Sequence, residues 1–228
     1  MYGTSYYGSS YRGAEAINTA MARVYGHMGL AVVTSMIVSY FVGTTPSLLA
    51  FFFTGVMKWI VMFLPLVLAF VVPWALSNAG KTMAPALLHL FAAAMGLSFS
   101  VIFAIYQMGS IAGAFMSAAV LFGVMSFYGY FTKRSLDSLG KWLFVGLIAI
   151  VIAGIINMFL QSGPLAQVVS ALAIVIFTGL TAYDTQKIRE TLMYDDDHRV
   201  EIMGALTLYM DFINLFLSLL QLFGGRKE

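Results

Sequence analysis

Of the 228 residues, 61% are hydrophobic and only 10% charged. A soluble domain carries about 25% charged residues, so this chain has too little polar surface to coat a body in water, and its solvent is lipid. The net charge of +2 is too small to imply nucleic acid as a partner, and the absence of cysteine excludes disulfides, thiolate metal sites and thiol nucleophiles.

Residues 1–22 come first. Their opening, "MYGTSYYGSSYRGAEAIN", is polar and rich in Tyr, Ser and Gly. It lacks the basic start, short apolar core and small-residue cleavage site of a secretory signal. The stretch reads as a polar N-terminal tail, mobile or lying at the headgroup level. A single transmembrane domain is expected over 23–225. Within it seven segments approach the roughly 20 apolar residues that a spanning helix needs: 24–43, 55–76, 84–106, 110–131, 142–160, 165–185 and 203–223. Gly, Pro and charge clusters separate them, among them "GTTPS", "SNAGK" and "TKRSLDSLGK". No strand-like alternation appears, and a segment in lipid must satisfy its own backbone, so all seven are expected to be helices.

The first segment carries His27, read as a packing or interfacial residue. The second begins with Lys58, expected to snorkel to the interface, and contains Pro65 and Pro73. The third holds Pro85 and His89. These prolines are expected to kink their helices and open backbone groups to a cavity. The fourth contains "GSIAG", in which Gly109 and Gly113 lie four apart and Ser117 continues the ridge; a small-residue ridge implies close helix packing. Between the sixth and seventh segments the "DDDH" run, Asp195 to His198, reads as a solvated acidic turn. With an N-terminus in the cytoplasm, Arg12, Arg23, Lys81, Lys133, Arg134, Lys141, Lys187, Arg189 and Arg199 lie inside, and only Lys58, Arg226 and Lys227 lie outside. The positive-inside rule favours that orientation. The alternative at the end of the chain is a last segment that dips in and returns, bringing Arg226 and Lys227 inside.

Two acids stand inside apolar runs: Asp184 in "IVIFTGLTAYDTQKI" and Asp211 in "LTLYMDFINLFLSLLQLFGG". An acid at the bilayer centre costs about 2.5–3.5 kcal/mol on insertion scales and usually faces a partner or water. Antiparallel packing of the last two helices brings both acids to a similar depth. Two carboxyls in one poorly solvated place tend to share a proton, which makes such a pair a proton sensor, a proton relay or a cation site. The alternative is structural: Asp184 paired with Lys187, and Asp211 fixed by the supporting polar residues Thr207 and Asn214 on its own helix face.

The segments "LYMDFINLFLSLLQLFG" and "TAYDTQKI" resemble the transmembrane Bax inhibitor motif family, and the likeness extends over about residues 20–225, with a tail similar to those of bacterial members. The resemblance implies an all-α polytopic membrane protein of the bacterial inner membrane, with six helices surrounding a central C-terminal one. It implies that Asp184 and Asp211 form a pH-sensing pair gating a cation leak, with calcium as the transported ion, and it implies no cofactor. Some members carry an arginine near the end of the second helix; here "LAFVVPWALSNAGK" has none, and Lys81 is the nearest cation. The acid that members carry early in that helix is absent too. A second reading is a regulatory protein that modulates a membrane protease or a stress or cell-death response by protein–protein contact. An intramembrane aspartyl protease is the third, but "LYMDF" lacks the glycine-rich setting of such a dyad and no metalloprotease or serine-protease motif is present, so no enzymatic activity is expected.

Overall fold

The computed structural model describes residues 13–78, 80 and 83–227, so the expectations placed on residues 1–12 and on Lys81 fall outside them. Among the described residues the chain forms nine helices: α1 (Ala14–Gly43), α2 (Pro46–Phe53), α3 (Met57–Asn78), α4 (Met83–Phe99), α5 (Ile102–Ile105), α6 (Met108–Phe131), α7 (Asp137–Leu160), α8 (Gly163–Leu192) and α9 (His198–Phe223). Six spans are long and apolar enough to cross a membrane, with α4 and α5 running on as one. A seventh is made if Pro46–Phe53 and Met57–Pro65, which meet at 84°, count together. The protein is an all-α polytopic membrane protein.

Helix α1 begins at Ala14, inside the stretch expected to be a tail. Ile17, Ala20, Met21 and Val24 are buried at i, i+3, i+4 and i+7 spacing, and Ala, Met and Arg are strong helix formers. The turn is too polar to read as a span, but packing makes it helical. The unforeseen α2 starts on Pro46, which has no N–H to lose at a helix start. Gly55, at φ +58°, turns the chain from α2 into α3, a conformation that glycine adopts without a Cβ clash.

Pro65 and Pro73 lie inside α3, as the kink argument requires, whereas Pro85 falls in the first turn of α4, where its missing N–H costs nothing. Pro65 leaves the Val61 carbonyl without its helical donor. Ser98 of α4 replaces that donor, its hydroxyl donating to the Val61 oxygen at 2.9 Å. A proline-broken turn is thus repaired across a helix interface, the repair that backbone in lipid demands.

The centre of the bundle is α9. It is 72% buried over its apolar stretch, against 6% for α7. Helices α1, α3, α4, α6 and α8 pack on it, and α7 joins the ring through α8. Asp197 caps its start by accepting from the Arg199 N–H at 2.9 Å. At 1.5 Å per residue its 26 residues reach about 39 Å, enough to cross a bilayer. Beyond it, Lys227 donates its backbone N–H to Ile105 at 2.8 Å and its ammonium to the Phe103 carbonyl at 2.7 Å. The chain therefore ends on the face opposite the α8–α9 turn, and the dip-and-return alternative does not occur.

One packing expectation is corrected. Gly109 and Gly113 have open space where a side chain would go. The buried stripe of α6 is Ile111, Ala114, Ala118, Phe122, Ser126 and Gly129, and the two glycines face away from it. Close approach happens elsewhere: a Cβ on Gly96 would come 2.5 Å from the Ser35 carbonyl oxygen of α1, and one on Gly129 would overlap the Ala182 carbonyl of α8. At the turn face, α1 and α9 are clamped by an ion pair absent from the sequence reading. Arg23 donates from Nε to Glu201 Oε2 at 2.8 Å and from Nη2 to Oε1 at 2.5 Å. Glu201 is 2% exposed and Arg23 46%.

Two outcomes are expected in thermal unfolding of purified protein in detergent. Gly129→Leu loses more than about 1 kcal/mol through overpacking, while Gly113→Leu unfolds like the parent. Arg23→Met strands a buried carboxylate and costs about 1–2 kcal/mol, screened by the half-exposed position of the arginine; adding Glu201→Gln restores part of the loss. An additive double variant would show that the two side chains act separately.

Candidate functional site

Two helices bring the acids of the apolar runs together. Asp184 lies in α8 about 12 Å before the helix end at Leu192, and Asp211 in α9 about 20 Å after its start at His198. The helices run antiparallel from a tight turn, and Gly204 lets them close: a Cβ there would sit 2.9 Å from Ile188 Cγ2. Asp184 and Asp211 consequently meet side chain to side chain.

The surroundings decide what that contact means. Asp211 is only 4% exposed, and its buried Oδ2 receives no hydrogen bond from another described residue. A buried carboxyl with no donor is costly, and two ionised carboxylates repel. The contact is attractive only when the two share a proton, the O–H of one donating to an oxygen of the other. Among the described residues no Lys or Arg side chain is paired with either acid. Lys187, the alternative partner of Asp184, lies 3.6 Å from both Asp137 and Glu190. Arg189 stacks over the Tyr130 ring, 5.1 Å from its centroid.

The supporting residues are placed near the pair but not on it. Thr207 donates to the Met203 carbonyl at 3.1 Å, and Asn214 donates to the Met210 carbonyl at 2.8 Å. Neither donates to Asp211, and Lys187 is paired with Asp137 and Glu190. Instead Thr207, Asp211 and Asn214 form a polar stripe on the face of α9 that looks into a cavity of about 1030 Å³. Asp184 joins them from α8, and Pro65 and Pro73 line the same space from α3. Pro73 frees the Ala69 carbonyl of its helical donor, and Ala69 also lines the cavity. The rest of the wall is chiefly Phe, Met and Leu from α3, α4, α7, α8 and α9. Among the described residues no group of three or more His, Asp or Glu is arranged to hold a metal ion.

Glu201 is the acid that sequence reasoning missed. It lies before the seventh expected segment, at the end of the polar run "DDDHRVE", which hides the helix start. The readable signal was Asp197, a good N-cap residue standing just before an apolar period that begins at Ile202. Asp195 and Asp196 are exposed, as expected of a solvated turn, and His198 accompanies Glu201 at 3.1 Å. His27 packs edge-on against His198, with ring centroids 5.5 Å apart, and His89 lies 3.1 Å from the Thr34 hydroxyl. A buried hydroxyl pair, Tyr209 with Ser35 at 2.6 Å, ties α9 to α1 at the centre.

Comparison with known proteins places this architecture. Residues 17–228 match the family described as inhibitor of apoptosis-promoting Bax1. The chain is 38% identical over 218 residues to the inner membrane protein YbhL of Escherichia coli K12, covering 92% of this chain and 93% of that protein. It is also 38% identical over 221 residues to the uncharacterized protein RP147 of Rickettsia prowazekii, covering 94% of this chain and 92% of the relative. A protein of Deinococcus radiodurans is 32% identical, with 93% of each chain covered. With a match across nearly its whole length and relatives aligned end to end, the chain belongs to the Bax inhibitor-1-like family of membrane proteins.

Proposed function

We propose that the protein is a proton-sensitive cation leak, with calcium the conducted ion, gated by the Asp184–Asp211 pair. The observation that carries the reading is a carboxyl pair, Asp211 buried and Asp184 half-buried, that meets at the junction of α8 and α9, lines a cavity and has no other charged partner among the described residues. When the pair shares a proton, an O–H···O bond bridges α8 and α9. Gain of a proton changes that bridge to one between two neutral acids, and loss leaves two like charges in contact, which drives the helices apart unless water or a cation enters. Oxygen ligands suit a hard cation. Two carboxyls with Thr207 and Asn214 fall short of the six to eight oxygens of a resident calcium site, which favours transit over storage.

The reading includes a location and an orientation. An inner-membrane relative supports residence in the inner membrane. The side bearing the α8–α9 turn gathers Arg23, Lys133, Arg134, Lys141, Lys187, Arg189 and Arg199, so it faces the cytoplasm. The gate then lies on the cytoplasmic half of the bundle. No reaction chemistry is assigned to the pair.

The test is calcium flux into liposomes holding the purified protein, measured across pH. The parent shows a titration step in flux. Asp184→Asn and Asp211→Asn each keep shape and hydrogen bonding while removing the shared proton, so each flattens the profile. The double variant adds little to either single one, because the two act as a unit. Single variants that keep the parent's pH profile would make the pair a structural contact.

A further inference from the structure

The cavity beside the aspartates is not closed on all sides. Helix α3 packs on α2, α4 and α9, whereas α7 packs on α8. Both α3 and α7 line the cavity, yet they are not packed on each other. Among the lining residues, Phe70 of α3 is 75% exposed and Phe144 of α7 is 59% exposed. The cavity therefore opens sideways between these two helices, through an apolar window, onto the surface that faces lipid.

Its length and an exposed cation at its rim suit one occupant. Trp74 and Trp142 are both exposed on the ends of α3 and α7 nearest the α8–α9 turn. Exposed tryptophans of this kind mark the headgroup level. Lys141 lines the cavity at that level, next to Trp142, and is exposed. Its acidic neighbour Asp137 lies 3.6 Å from Lys187 and is attracted by Lys141 to a smaller extent. From Pro73 to Met62 the α3 wall runs about 16 Å, close to the roughly 15 Å of hydrocarbon in one leaflet.

We infer that this slot is a binding site for one glycerophospholipid of the leaflet on the α8–α9 turn side, which enters between α3 and α7. One acyl chain lies in the slot against Ala69, Met95 and Leu147, and the phosphate is met by Lys141. The site stands on packing and charge alone and does not depend on ion conduction.

The test is native mass spectrometry of delipidated protein in detergent, titrated with palmitoyl-oleoyl phosphatidylglycerol. The expected result is one adduct tighter than all others. Ala69→Trp, which fills the slot, and Lys141→Glu, which removes the cation from an exposed position, each weaken it by at least about fivefold. Val124→Trp, on the lipid-facing side of α6 (61% exposed), leaves it unchanged. Several equivalent adducts, or equal effects of all three variants, would reduce the lipid to a general annulus and overturn the site. Weakening by Lys141→Glu alone would mean headgroup attraction at the surface, and would overturn the slot as well.

Discussion

The structure is organised around one polar stripe that lipid cannot tolerate. Thr207, Asp211 and Asn214 lie along one face of α9, and a helix with such a face must be surrounded by protein. Enclosure of α9 follows, and with it the arrangement of the other helices. Those that pack on it carry the buried stripes of the core, while α7, which reaches the ring only through α8, is nearly bare. An apolar α9 would lose nothing by facing lipid and would give the bundle no reason to have a centre.

Enclosure is completed by contacts that repair backbone or charge across interfaces. Ser98 supplies the hydrogen bond that Pro65 removes from Val61. Arg23 reaches from α1 to neutralise Glu201 at the start of α9. At the opposite face the C-terminal residues hydrogen-bond to the end of α5 and the linker that follows. Central α9 is thus pinned at both ends and at Tyr209 in the middle. The carboxyl pair is a different kind of contact. Two acids on facing helices attract each other only while they share a proton.

The cavity joins the two halves of this picture. Its inner wall is the polar stripe, and its outer limit is the unpaired gap between α3 and α7. Pro65 and Pro73 of α3 lie on that wall; the Val61 carbonyl that the first frees is bonded by Ser98, and Ala69, whose carbonyl the second frees, lines the cavity.

The sequence by itself determined the class and singled out the two acids. Composition forces a lipid solvent, and an acid inside an apolar run is visible without coordinates because its cost is local. The likeness of "LYMDFINLFLSLLQLFG" to a known family reached the same residues independently. What escaped were features set by partners far away in the chain. Gly113 and Gly129 look equivalent in sequence, yet one faces open space and the other Ala182, since the rotation of α6 is fixed by its neighbours. Glu201 reads as a loop residue until Arg23, more than 170 positions earlier, makes its burial possible. The first turns of α1 are too polar to announce a span and become helical only by packing. Thr207 and Asn214 were placed on the right face, but whether they bond Asp211 or their own backbone depends on side-chain geometry that spacing does not fix. Local chemistry carries the cost of a residue; only the tertiary structure decides who meets it.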